Sequence, residues 1–218
     1  MRILITGANG LVGQGVLREC LRDPAVSRIV ALGRKPSGAS DARLVELACA
    51  DFADLSAVED QLHPFDVCLY CAGAPPLGTP EADYRHVTVA LTTHVAATLA
   101  RLNPGIVFLY ISGAHADPAS RLMPLRIKGE AERALAALPI RTVMLRPGGI
   151  QPVQGVRSPH PAMAAMYTVA GPLMGLGARL LPGVMTTTAH VGRAMLALLK
   201  QEQPPAVVEN AEINRLAD

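Results

Sequence analysis

Apolar residues along this chain come in short, nearly continuous runs separated by segments of helical period. The runs are RILIT (2–6), RIVAL (28–32), VELAC (45–49), DVCLY (66–70), IVFLYI (106–111), RTVMLR (141–146) and AVVEN (206–210). A strand with one face in water alternates apolar and polar residues, whereas one covered on both faces does not. Several of these runs are of the second kind. Between them, apolar positions recur every three or four residues near 12–22, 54–61, 81–102, 119–137 and 187–201, which predicts helices that pack through one stripe. Strand and helix in alternation predict an α/β fold, a doubly wound parallel sheet of Rossmann type. Pro and Gly cluster at 73–80 and 147–183 and mark the expected loop-rich segments. No composition shift separates two units, so residues 1–218 read as one domain.

Composition narrows the picture. Half of the 218 residues are hydrophobic, yet there is no Trp and only 3% are aromatic. The core must be built from Ala, Val, Leu and Ile, which suits a parallel sheet under helices. The net charge is +2 and no basic cluster stands out, which argues against nucleic acid held by bulk electrostatics. The N-terminal apolar run is too short for a secretory signal and a glycine loop interrupts it. The expected location is cytoplasmic, with Cys20, Cys49, Cys68 and Cys71 reduced. CLYC at 68–71 has the spacing of a redox or metal pair, but residues three apart in a strand point to opposite faces, so two core thiols are expected. His160 stands between two prolines with no second ligand at useful spacing, and no metal is expected. No G-x-S-x-G elbow of a serine hydrolase occurs.

The most specific signal is ILITGANGLVGQGVLREC, a strand, then Gly7, Gly10 and Gly13, then an amphipathic helix. Gly7 would permit the tight turn, Gly10 the approach of a pyrophosphate, and Gly13 close packing of helix on sheet. The helix N-terminus offers unpaired N–H groups and a positive dipole to phosphates. The second strand then runs into Gly33, Arg34 and Lys35 with no acidic residue. An acidic side chain there would accept from the ribose 2′-hydroxyl of NAD, whereas an arginine pairs with a 2′-phosphate. The expected cofactor is therefore NADP(H) in preference to NAD(H). The plain alternative is a solvated basic loop. Asp51 and Phe52 follow the third strand, where an adenine ring would lie.

TGANGLVG at 6–13 resembles the cofactor loop of the short-chain dehydrogenase/reductases in their extended, atypical branch, close to small bacterial proteins labelled NAD-dependent epimerase/dehydratase. The resemblance implies cofactor contacts from Thr6, Gly7, Asn9, Gly10, Leu11, Val12 and Gly13. It extends to GR at 33–34, DF at 51–52, CAG at 71–73, YISGA at 110–114, KGEAE at 128–132, RPGGI at 146–150 and the ending GRAMLALL…ENAEI within 192–213. By that likeness Cys71, Ala72 and Gly73 form a loop over the cofactor. Pro147, Gly148 and Ile150 close on the nicotinamide. Ser112 is the catalytic serine, and Lys128 the lysine that binds the nicotinamide ribose.

One element of the family pattern is missing. Its proton-transferring tyrosine lies one helical turn before the lysine, and here Pro124 holds that place. Proline has no ionisable group and suits only a helix start. A displaced acid is one reading, with His115, Tyr84 and Tyr110 as candidates. His115 is attractive because histidine as a residue type serves as an acid or base at physiological pH, or it is simply a loop histidine bonded to backbone. Tyr84 faces either substrate or the helix surface, and Tyr110 lies in a strand as core. Other readings are a non-catalytic NADP(H)-binding redox sensor, or an epimerase- or dehydratase-like enzyme. Lys128 has its own alternative, an exposed lysine paired with Glu132 at i+4, and Ser112 the alternative of a polar cap at a strand end. Residues 147–185 are expected to form a small C-terminal helical cap over the substrate. PAMAAMYTVAGPLMGLGA at 161–178 carries no charge. With Met163, Met166 and Met174 it would line a pocket for an apolar carbonyl or alcohol. Broken by Pro and Gly, it is a poor membrane span. Peripheral membrane contact and homo-oligomerisation stay open.

Overall fold

The structure, a computed structural model, describes residues 1–156, 177, 181 and 183–218. Seven parallel strands form one sheet: β1 (Arg2–Thr6), β2 (Arg28–Gly33), β3 (Leu44–Ala48), β4 (Val67–Tyr70), β5 (Val107–Ile111), β6 (Arg141–Arg146) and β9 (Val207–Glu209). Their order is β3-β2-β1-β4-β5-β6-β9. The chain winds outward from β1 in one direction, then returns and winds from β4 in the other. The carboxyl ends of β1 and β4 therefore diverge into separate loops and leave a crevice where a ligand can sit. A second, two-stranded parallel sheet pairs β7 (Gly149–Gln151) with β8 (Met185–Thr187).

The buried residues fall into two clusters, one per sheet face. Ile3, Ile5, Val143 and Leu145 pack beneath α1 (Leu11–Arg22), α5 (Thr188–Leu198) and α6 (Asn210–Ala217). Leu4, Tyr70, Phe108 and Tyr110 face α3 (Thr92–Leu102) and α4 (Met123–Ala136). Consecutive strand residues thus bury on opposite faces, which is why the runs show no alternation. The same geometry splits the CLYC pair: Cys68 is in the second cluster and Cys71 packs against the first.

Two glycines bring α1 and α5 together. A Cβ on Gly15 would lie 2.6 Å from both the Cβ and the carbonyl oxygen of Thr188, and one on Gly192 would lie 2.9 Å from Cγ of Glu19.

The predicted helix at 81–102 is one helical stretch, α2 (Glu81–Arg85), a π-helical turn (His86–Leu91) and α3. The expected helix at 54–61 is reduced to a single 3₁₀ turn, Glu59–Gln61. Asp51 and Asp54 accept from the backbone N–H groups of Ala53 and Ser56 at 2.9 and 3.0 Å, and such local bonds compete with a helix. The last run, expected as a strand to 210, ends at Glu209, and α6 follows at once. The cap is partly strand rather than helix in its described residues, since β7 and β8 are too short to register as apolar runs. Asn210 and Asn214 of α6 each donate to the Met185 carbonyl, at 3.0 and 2.8 Å, and so hold β8 to the main domain. His160, Met163, Met166 and Met174 lie outside the described residues, as does the run 161–178 apart from Gly177. Among the described residues no helix is long and apolar enough to cross a membrane, and no side-chain cluster could hold a metal ion.

Candidate active site

The glycine turn sits at the crevice between β1 and β4. Gly7 has φ +65°, and a Cβ there would lie 2.6–2.7 Å from the backbone of Cys71 and Ala72. The turn is closed by Gly10 N–H donating to the Gly7 carbonyl at 2.8 Å. Thr6 Oγ1 accepts from Ala72 N–H at 3.2 Å and ties the two strand ends together. A Cβ on Gly13 would lie 2.0 Å from the Gly7 carbonyl oxygen, so only glycine lets α1 start this close to the turn. Gly10 is the N-cap residue, makes no side-chain cap, and is followed by no acidic residue in the first turn. The helix therefore presents its first N–H groups and its positive end uncompensated. A dinucleotide pyrophosphate fits that end.

At the adenosine side, Arg34 and Lys35 are exposed beyond β2. They border a shallow hollow shared with Glu46 and Ala48. Glu46 is engaged by Ser37, whose N–H donates to it at 3.0 Å. Among the described residues no carboxylate pairs with Arg34. Asp51 is exposed, and its carboxylate closes the turn to Ala53. Phe52 packs against the core from its edge.

The other half of the site is built by β5 and α4. Ser112, 6% exposed, follows β5, and its Oγ has no hydrogen-bond partner. Its N–H donates to the Leu145 carbonyl at 2.7 Å, which carries the ladder to β6 without help from the hydroxyl. The polar-cap alternative thus finds no bond to support it. Lys128 projects from the second turn of α4 and donates to Tyr110 Oη at 3.0 Å and to the Ile111 carbonyl at 2.8 Å. The expected alternative, an exposed pair with Glu132, is overturned. Glu132 instead accepts from Arg146 at 2.6 and 2.9 Å, and Arg146 also reaches Glu209 at 2.9 Å. Loss of hydration lowers the Lys128 pKa to about 8, with Glu132 opposing. Burial raises Tyr110 well above its ordinary value, and the neighbouring Tyr84, Tyr70 and Glu132 add to the shift.

Pro124 occupies the first turn of α4, behind the N-cap Leu122, where a missing N–H costs nothing. Tyr84 is 2% exposed, not on the helix surface, and burial raises its pKa while a bond to Thr88 opposes the shift. His115 is exposed and left-handed, at φ 61°. Gly129 lets the loop carrying His115 lie on α4, since a Cβ there would meet Pro118 N at 2.3 Å. Pro147 is buried and its carbonyl accepts from Ala114 N–H at 2.9 Å, while Gly148 N–H donates to Asn210 Oδ1 at 2.8 Å. Gly73 lies in the loop after β4, and Ile150 pairs with Thr186 in the two-stranded sheet. The Lys128–Tyr110 bond was not evident from the sequence. Its signal was there, in that Tyr110 lies two residues before Ser112 and so shares its strand face.

A Rossmann sheet, a glycine turn opening on an uncapped helix, and a lysine bonded to the strand end that precedes an unpaired serine define a dinucleotide-binding α/β protein. Residues 3–133 match the family model of the NAD dependent epimerase/dehydratase family, and the chain belongs to that family. Protein fmp52, mitochondrial, of Aspergillus fumigatus is 30% identical over 175 residues, covering 78% of this chain and 74% of that protein. D-lysergyl-peptide-synthetase subunit 3 of Claviceps purpurea is 30% identical over 148 residues, 53% of this chain but 8% of that protein. Among solved structures, UDP-glucuronic acid 4-epimerase from Bacillus cereus in complex with NAD superposes with a TM-score of 0.70 at 18% identity. It covers 95% of this chain and 76% of that one. A thiolation-reductase di-domain from an archaeal non-ribosomal peptide synthetase gives 0.71 at 16% identity, covering 95% of this chain and 70% of that one. At such identities the likeness is one of fold.

Proposed function

We propose that this protein binds NADP(H) and acts as an oxidoreductase on a small apolar carbonyl or alcohol. The observation that carries the reading is the buried, unpartnered Ser112 hydroxyl, one residue beyond the Ile111 carbonyl that binds the Lys128 ammonium, at the edge of the sheet where the glycine turn opens. A buried polar group without a partner costs stability, and a substrate oxygen would supply the partner. In this reading the first turn of α1 takes the pyrophosphate, Arg34 and Lys35 take the 2′-phosphate, and Ser112 orients the carbonyl. Lys128 presents its charge at the nicotinamide end. Bound there, the dinucleotide supplies or accepts the hydride. The described strands of the cap region, β7 and β8, belong to the substrate side of the single domain in this reading.

The second reading is a protein that binds NADP(H) and reports its redox state without turnover. Pro124 favours it, because the family acid is absent at that position.

Calorimetric titration with NADPH and NADH, repeated on Arg34→Ala, tests the cofactor assignment. NADPH is expected to bind more tightly, and the substitution to weaken it about tenfold, or about 1.4 kcal/mol for an exposed charge-assisted contact. NADH affinity should not change. Equal loss for both nucleotides, or none for NADPH, would remove Arg34 and the NADP preference. No binding of either nucleotide would remove both readings.

A further inference from the structure

We propose that Lys128 is itself the proton donor and acceptor of this site, replacing the missing tyrosine, and that Tyr110 is the positioning residue that holds it there. The inference rests on the oxidoreductase reading and reassigns Lys128 from cofactor contact to the reacting oxygen.

The geometry points this way. An ammonium has three N–H bonds. Tyr110 Oη and the Ile111 carbonyl take two of them, at 3.0 and 2.8 Å. Glu132, one helical turn on, is held by two guanidinium contacts of Arg146 and does not take the third, and the nearer Glu130 is paired with Arg85. Ile111 is joined directly to Ser112, so the lysine nitrogen binds the carbonyl of the same peptide group whose nitrogen belongs to the serine with the unpaired hydroxyl. A carbonyl oxygen placed there can accept from both. Pro124, one turn before the lysine, brings no ionisable group of its own.

Tyr110 suits both charge states of the lysine. Its oxygen accepts from the ammonium, and its O–H can donate to the neutral amine after the proton has left. The titratable groups around the nitrogen are Tyr110 from β5 and Glu132 from α4. Tyr84 of α2 neighbours Tyr110, Tyr70 of β4 lies with its ring centroid 6.2 Å from that of Tyr110, and Arg146 of β6 neutralises Glu132. In carbonyl reduction, the carbon gains a hydride from the reduced nicotinamide dinucleotide and the C=O π bond opens. The oxygen takes the proton from Lys128 Nζ as that N–H bond breaks. Alcohol, oxidised dinucleotide and a neutral amine result, and solvent then reprotonates the amine.

The test combines a spectroscopic and a kinetic readout. The chain has four tyrosines and no tryptophan, so its near-ultraviolet difference spectrum reports tyrosine environments directly. A one-proton change is expected near pH 8, where Lys128 titrates, and it should vanish in Lys128→Met and in Tyr110→Phe. NADPH oxidation is followed with hexanal and benzaldehyde as probes. The active form is the ammonium, so kcat should fall as pH rises through the same midpoint. Lys128→Arg keeps a cation that cannot release its proton. It should bind NADPH within about threefold of wild type yet lose about 10²–10⁴-fold in kcat, the range of a general acid. Tyr110→Phe should move the kcat midpoint with little effect on KM. If Lys128→Arg fails to fold, Lys128→Met supplies the kinetic comparison. Turnover that survives loss of Lys128, a kcat profile unrelated to the spectroscopic midpoint, or NADPH binding with no oxidation by either probe overturns the proposal. Loss of NADPH binding in the wild type instead sinks the reading beneath it.

Discussion

Ser112→Ala should make the protein more stable and less able to turn over substrate. The residue is 6% exposed, its hydroxyl oxygen is buried without a hydrogen-bond partner, and the backbone N–H carries the strand pairing. Leaving a buried polar group unpaired costs about 1–3 kcal/mol. Removing the oxygen also leaves a small void that offsets part of this, so the lower end, about 1 kcal/mol, is the expected gain. For a chain of this length that is a rise in Tm of about 2–4 °C. Urea and thermal unfolding of the ligand-free protein measure it. Thr93 provides a control, since its Oγ1 is likewise buried without a partner but lies in α3. Thr93→Val should stabilise similarly and leave NADPH-dependent turnover alone, whereas Ser112→Ala should cut it. A Ser112→Ala protein about 1 kcal/mol less stable than wild type would refute the reasoning, because it would mean that the hydroxyl serves as a structural cap.

Lys128 should leave a signature in the pH dependence of stability. Its folded pKa of about 8 lies below the ordinary 10.5, so between those values the unfolded chain binds more protons and stability rises with pH. The penalty is complete below about pH 8 and gone above the unfolded value. The stability difference between wild type and Lys128→Met, followed by urea unfolding, should therefore shift in favour of wild type by up to about 3 kcal/mol across that window. Parallel curves would show that the ammonium is well hydrated. Gly15→Ala should destabilise by about 1–2 kcal/mol in the same assay, since its Cβ would meet Thr188 backbone and side-chain atoms at 2.6 Å. Overpacking costs about 1–3 kcal/mol, and the better helix propensity of alanine offsets part of it. An unchanged midpoint would mean that α5 yields without strain.

What the sequence determined by itself was whatever short-range pattern can encode. Each strand of the main sheet was marked by an apolar run, several of them apolar on both faces, and α1 by its stripe and the glycines before it. The position of Lys128, one turn beyond Pro124, was legible because helical spacing is regular. The failures were of two kinds. At 54–61 the aspartates bonded to their own backbone and stopped a helix that the apolar spacing allowed. At 206–217 one short run concealed a change from strand to helix at Asn210. The tertiary structure alone decided that Lys128 turns to Tyr110 rather than to Glu132. That choice depends on Arg146, far along the chain, capturing Glu132 when β6 is laid beside β5. Tertiary structure also decided that Ser112 lacks a partner and that Gly15 and Gly192 lie where two helices meet. Local pattern fixes how a segment coils. Which polar group is left unpaired depends on neighbours that only packing brings within hydrogen-bonding distance.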